Sequence, residues 1–250
     1  MRVAICQPTY LPWLGYFDLM DQVDRFVLLD TVQFERQSWQ QRNRIKTPTG
    51  LQWLTVPVLF RGRLGQKICE VEIRDADFAQ THLRVLEVNY GRTRFFAKYF
   101  PALSEILLGT GRGALLADLN LRLMRWFAEV LEIHTPLVPA SSLGQEGKRT
   151  ELLANICHTL GASDYVSPIG SAEYLLGELA VLSGANVNTV FHNYIHPEYE
   201  QRFPPFVPFA SAIDLIFNEG NRAMEIIRRG RGSPFTPREV ELKMAEASEA

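Results

Sequence analysis

Two short apolar runs lie near the start of the chain, Val3–Cys6 and Phe26–Leu29. Each is apolar on successive residues rather than on alternate ones, the pattern of a strand covered on both faces. Leu14 to Val23, between them, has helical spacing. Residues 2–7, 14–23 and 25–30 therefore predict strand, helix and strand, the start of a right-handed parallel crossover. Leu51–Leu59 and Ile68–Ile73 predict further strands around the turn chemistry of RGRLGQ, and Thr47-Pro48-Thr49-Gly50 predicts a turn ahead of them. Residues 77–131 are mostly helical in period, with Asp77 placed to cap the first helix and Gly91 to end it. Leu115, Leu119, Met124, Trp126 and Leu131 give 114–131 an amphipathic pattern. A short strand and loop at 136–142, a helix at 148–160, a strand at 165–167, a helix at 171–182, a strand at 187–191 and a helix at 211–229 follow. Pro204, Pro205 and Pro208 preclude regular helix over 203–209.

Strand and helix alternate at both ends, which predicts an α/β fold with a mostly parallel, Rossmann-like sheet. Residues 1–230 read as a single α/β domain, 77–131 as a helical insertion or subdomain, and 231–250 as a C-terminal tail.

Composition narrows the function classes. A chain of 250 residues with 46% hydrophobic content can bury a sizeable core. Its net charge of −2 argues against a general nucleic-acid binder. No apolar stretch approaches the ~20 residues of a membrane span. Gln7 and Pro8 interrupt the first apolar run, so no signal peptide is expected and the cytoplasm is the expected location. Cys6, Cys69 and Cys157 are widely spaced and form no CxxC pair, so they read as buried small hydrophobes rather than a disulfide framework or metal site.

In parallel sheets, ligands sit outside the carboxyl ends of the strands. Polar and aromatic residues gather at those ends here. Gln7, Tyr10, Trp13 and Gly15 follow the first strand. Trp13-Leu14-Gly15-Tyr16 stands where nucleotidylyltransferase-like proteins carry HxGH, without its two histidines. Asp30 ends the second strand. Gln33, Arg42, Asn43 and Lys46 in the polar stretch after it offer donors for phosphate or sugar oxygens. Lys148 opens a helix, where a cation opposes the helix dipole unless an anion compensates. Ser167, Gly170, Ser171 and Tyr174 mark a strand end, a turn and a helix start, with Ser171 placed to cap. His192, His196, Tyr199 and Gln201 form a last group, in which a histidine can serve as a base. His192 and His196 lie in strand and turn, so their spacing does not make a metal pair. No metal site, GxSxG elbow, P-loop or dinucleotide fingerprint is present.

The ordered string over residues 1–58 resembles the WbqC-like protein family. The resemblance continues in KRTELL (148–153), LGASDYVSPIGSAEYL (160–175), NYIHPEYEQRF (193–203) and SAIDLIFNEG (211–220). It implies a place in O-antigen, capsule or natural-product biosynthesis. It also implies transfer of an acyl or aminoacyl group, such as glycine, to an amino-sugar or related amine. In that reading Asp30 or His196 is the base. Arg42, Lys46 and Lys148 hold phosphates or a nucleotide, and Tyr10, Trp13 and Tyr199 line the sugar or base. ATP or another activated acyl donor would be the co-substrate. An ATP-dependent adenylating enzyme and a non-catalytic sugar- or partner-binding module are the alternatives.

Overall fold

The structure, a computed structural model, describes residues 1–248. Its strands are β1 (Arg2–Cys6), β2 (Arg25–Leu28), β3 (Arg42–Thr47), β4 (Gly50–Thr55), β5 (Leu137–Pro139), β6 (Asp164–Ser167) and β7 (Asn188–Phe191). Its α-helices are α1 (Leu14–Asp21), α2 (Asp77–Tyr90), α3 (Phe96–Leu108), α4 (Leu116–Val130), α5 (Thr150–Leu160), α6 (Ala172–Leu175), α7 (Leu179–Gly184), α8 (Ala212–Glu219), α9 (Ala223–Arg229) and α10 (Pro237–Ser248).

Five strands form one parallel sheet in the order β5-β2-β1-β6-β7. The fold is α/β, as the alternation predicts. Along β1, Ala4 and Cys6 enter one apolar cluster with residues of α1–α4, α8 and α9. Val3 and Ile5 enter a second with residues of α5, α6, α7 and α10. Burial on both faces is why the first two strands read as unbroken apolar runs. The helical stretch 77–131 shares the first of these clusters with the sheet.

From β1 the chain winds through β2 to β5 on one side, then crosses to build β6 and β7 on the other. The winding reverses between β1 and β6, and such a reversal opens a crevice at the carboxyl ends of the two strands.

Several segments differ from the periodicity, among them the helix expected over 171–182, which is split into α6 and α7 by a 3-10 turn at Leu176–Glu178. Arg42–Thr47, expected as part of a polar loop, is strand β3, paired antiparallel with β4 in a separate hairpin. Arg42 and Arg44 are partly open while Asn43 and Lys46 are buried among them, so it shows no apolar run. Ile68–Ile73 is not a strand. It holds a 3-10 turn at Ile68–Glu70, pinned by Ile68 N–H to the Val32 carbonyl and Cys69 N–H to the Asp30 carbonyl. The helix expected over 211–229 breaks at Gly220, whose φ of +57° favours glycine. A Cβ there would overlap the Phe95 ring.

Of the expected tail 231–250, the described residues 231–248 are docked on the sheet; 249–250 lie outside the described residues. Phe235 pairs antiparallel with Phe191, and Val240 of α10 is buried. No helix among the described residues is long and apolar enough to cross a membrane.

Candidate functional site

A cavity of about 570 Å³ opens at the reversal point of the sheet. Cys6 and Gln7 at the end of β1, Pro168–Ser171 after β6, and His192 after β7 line it, with Trp13, Gly15 and Tyr16 at the start of α1. Leu153 and Tyr174 close one side and Trp39 another.

The strongest chemistry on this cavity is a pair that lies 174 residues apart in sequence, Asp18 and His192. Asp18 is fully buried within α1. Its Oδ2 accepts from His192 Nε2 at 2.7 Å and from Gln22 Nε2 at 2.7 Å, and its Oδ1 accepts from Arg231 Nε at 2.8 Å. A carboxylate so supplied with donors stays an acceptor, which puts the imidazole proton on Nε2. The His192 Nδ1 lone pair is left without a partner among the described residues. Arg231 also pairs with Asp21, which Arg228 holds at 2.8–2.9 Å. The carboxylate is thus braced from the far side, which fixes the ring's position.

Other polar atoms of the cavity fit a receptive rather than nucleophilic role. Burial pushes the Cys6 thiol well above its ordinary range, and the phenol of Tyr16 rises for the same reason and through its proximity to Cys6. Tyr194 is raised by burial and by Asp18. None supplies an anion near neutral pH. The Tyr194 hydroxyl is buried and unpaired among the described residues, and its ring stacks on His192 with centroids 5.8 Å apart. Gln7 takes the Gln40 amide on its Oε1 at 2.9 Å, leaving its own Nε2 for a ligand. Trp13 covers the start of α1, and Gly15 is required there because a Cβ would overlap the indole.

Of the residues singled out in the sequence, Gln7, Trp13, Gly15, Gly170, Ser171 and Tyr174 line this cavity together. Ser167 lies just behind, buried, with its hydroxyl bonded to Ser171. Ser171 makes no side-chain cap, because its Oγ turns back to the Pro168 carbonyl. His196 is set against Trp13, its ring enclosed by Tyr199, Phe206 and Phe209. Its Nδ1–H donates to the Pro197 carbonyl, its Nε2 is buried, and burial lowers its pKa.

The remainder lies elsewhere. Asp30 borders a different cavity, of about 410 Å³, and both its oxygens accept from Ser141. Tyr10 is fully buried with its hydroxyl on His82. Asn43 is buried, clamping the Tyr10 and Leu11 carbonyls. Tyr199 and Gln201 both donate to buried Asp214, and Lys46 is buried close by. Gln33 bridges to Lys67 on an exposed loop. Lys148 is exposed. Its neighbour Arg149 reaches the cavity wall instead, paired with Glu178 and lying 5.3 Å from the Tyr174 ring. Arg42 and Arg44 stand on the open face of the hairpin against Trp53. Among the described residues no group of three or more His, Cys, Asp or Glu is placed to hold a metal.

Residues 7–226 match the WbqC-like protein family. An uncharacterized protein of Mycobacterium tuberculosis is 38% identical over 228 residues, covering 91% of this chain and 97% of that protein. No solved structure matches the chain.

Proposed function

The chain belongs to the WbqC-like protein family, and from that premise we propose that it transfers an activated acyl or aminoacyl group to the amine of an amino-sugar or related precursor. The observation that carries this reading is the His192 ring, held through Nε2 by buried Asp18 at the cavity where the sheet reverses. A protonated amine is not a nucleophile. An amine that attacks an acyl carbon must lose a proton during the attack, and a fixed imidazole nitrogen is suited to take it.

In this mechanism the amine nitrogen bonds to the acyl carbon and His192 Nδ1 takes the amine proton. The bond from that carbon to the leaving group then breaks, and the imidazolium returns the proton to the departing group. Asp18 stabilises the imidazolium while it exists and holds the tautomer before and after. Gln7 Nε2 is a donor available to the acyl oxygen or to substrate hydroxyls. Neither Cys6 nor the cavity tyrosines offer an anion near neutral pH, so direct attack by the amine is favoured over a covalent acyl-enzyme.

The test is a matrix of donors and acceptors. Acyl-CoA, aminoacyl-tRNA, and ATP with free glycine are each offered with amino-sugar acceptors, and amide is detected by mass spectrometry. The reading requires one pair to give amide with the wild-type chain and a large loss of rate with His192→Gln. If labelled pyrophosphate exchanges into ATP and no pair yields amide, the adenylating alternative replaces it. If no pair yields amide, the proposal fails.

A further inference from the structure

A second cavity of about 260 Å³ adjoins the first, lined by Thr9, Trp13, Trp39, Arg44 and Phe209. Thr9, Trp13 and Trp39 border both, so the two lie side by side. The β3–β4 hairpin stands at the outer end, and Arg44 reaches from it into the second cavity. Arg42 and Arg44 are two apart on β3 and share a face, and Arg44 lies directly opposite Trp53 on β4. Trp39 and Trp53 are 47% and 41% exposed, a large apolar surface left open to solvent, with ring centroids 5.2 Å apart. The Arg42 guanidinium lies 4.1 Å from the Trp53 centroid, and that of Arg44 lies 5.3 Å from Trp39 and 5.4 Å from Trp53.

These two arginines differ from several others on the surface. Arg63, Arg149, Arg228 and Arg231 each pair with a carboxylate. Arg42 and Arg44 have no carboxylate within ion-pair distance among the described residues, and the Nε of each is buried without a hydrogen-bond partner. A guanidinium laid against an indole keeps its N–H edge free in the ring plane, where a phosphate can be gripped by two bonds. Flat indole faces beside it stack a nucleobase.

We infer that this outer end is a subsite for the nucleoside diphosphate part of the substrate, with Trp39 and Trp53 taking the base and Arg44 and Arg42 the phosphates. The inference rests on reading the cleft as the substrate site, and it names the class of substrate: an acceptor or donor carried on a nucleotide. A long polyanion fits less well, since the chain carries a net charge of −2 and the paired arginines form a local patch. The geometry puts a tethered reactive group in the inner cavity, beside His192.

Binding is measured without turnover, so its outcome is independent of the transfer assay. UDP and ADP are titrated into the full chain by calorimetry and tryptophan fluorescence, beside uridine, adenosine and inorganic pyrophosphate. One diphosphate should bind about tenfold or more tighter than its nucleoside and than pyrophosphate, because base stacking and phosphate contacts each add. Arg44→Gln should weaken it about tenfold and Trp39→Leu should remove most of the fluorescence response. If Arg44→Gln does not fold, exposed Trp53→Leu takes its place, and the ratios for the wild-type chain stand alone. Equal affinity for pyrophosphate and the diphosphates, binding that ignores Arg44 and Trp53, or no binding of either diphosphate would each overturn the subsite. Amide transfer with a failed subsite, or a confirmed subsite without transfer, separates the two proposals.

Discussion

His192 and His196 stand four residues apart and sit in opposite kinds of surroundings. His192 has one nitrogen held by buried Asp18 and the other unpaired on the edge of a cavity. His196 donates to the Pro197 carbonyl, and its second nitrogen is sealed among Trp13, Tyr199, Phe206 and Phe209. The contrast extends to the groups behind them. Asp214 accepts from Tyr90 at 2.8 Å, Tyr199 at 2.7 Å and Gln201 Nε2 at 3.0 Å, and Gln201 Oε1 accepts from the Val207 N–H. Burial raises the Asp214 pKa, and its three donors oppose the rise. This closed knot ties α2, α8 and the 199–207 segment together. Both regions are polar, aromatic and buried. What separates them is whether a hydrogen-bonding valence is left over where a ligand can reach it.

The contrast breaks most directly at His192. His192→Gln should lower turnover by about 10²–10⁴-fold, the usual worth of a general base, while the urea midpoint shows the chain still folded. Full turnover in a folded variant would make His192 another wall residue.

Asp214→Ala should do the reverse. Three buried donors lose their acceptor, at about 1–3 kcal/mol for each group left unsatisfied, so a fall in unfolding free energy of about 3 kcal/mol or more is expected. Turnover per folded molecule should hold. A stable variant that has lost turnover would move the knot into the chemistry.

His82 sharpens the scaffold side. Burial lowers its pKa from 6.5 to about 4, so the unfolded chain binds a proton that the folded chain resists. Its neutral form bridges α2 to Tyr10 at 2.8 Å. The stability it contributes is full above about pH 6.5 and is lost as pH falls towards 4, by about 3 kcal/mol in all. Denaturation across that range should be steeper for the wild-type chain than for His82→Gln. Equal slopes would show that His82 titrates normally.

The smallest effect belongs to Trp53→Leu. An exposed position of this kind changes stability by about 0.5 kcal/mol or less, so any larger loss in thermal denaturation would show that the hairpin face is built for packing.

The parallel sheet was legible because strands buried on both faces leave unbroken apolar runs, as in Val3–Cys6 and Phe26–Leu29. The strand-end rule then led to Gln7, Trp13, Gly170 and Tyr174, which do border one cavity. Strand β3 was hidden because neither of its faces is plainly apolar. Asn43 turns inward to bond carbonyls, and Arg42 and Arg44 turn outward onto an indole. Asp18 was hidden for another reason. Two of its three partners, His192 and Arg231, lie 174 and 213 residues away, and local pattern carries no such pairing. A signal was nonetheless present. Leu14 to Met20 is apolar but for Asp18, so the first two turns of α1 have no polar face, and a carboxylate in such a stretch requires donors from elsewhere.

The pairing of Phe235 with Phe191 bears on how copies of the chain meet one another. An edge strand with free amides and carbonyls is a template for a neighbour's strand. Phe191 and Phe235 exchange two backbone bonds of 2.8 Å, which blunts the β7 edge, and α10 packs beside it. At the opposite edge β5 is only three residues long and ends in Pro139, which has no N–H to offer. The segment that braces the cleft through Arg231 therefore also guards the sheet against edge-to-edge aggregation. Trimming it would bare the β7 edge and take away the Arg231 that holds Asp18.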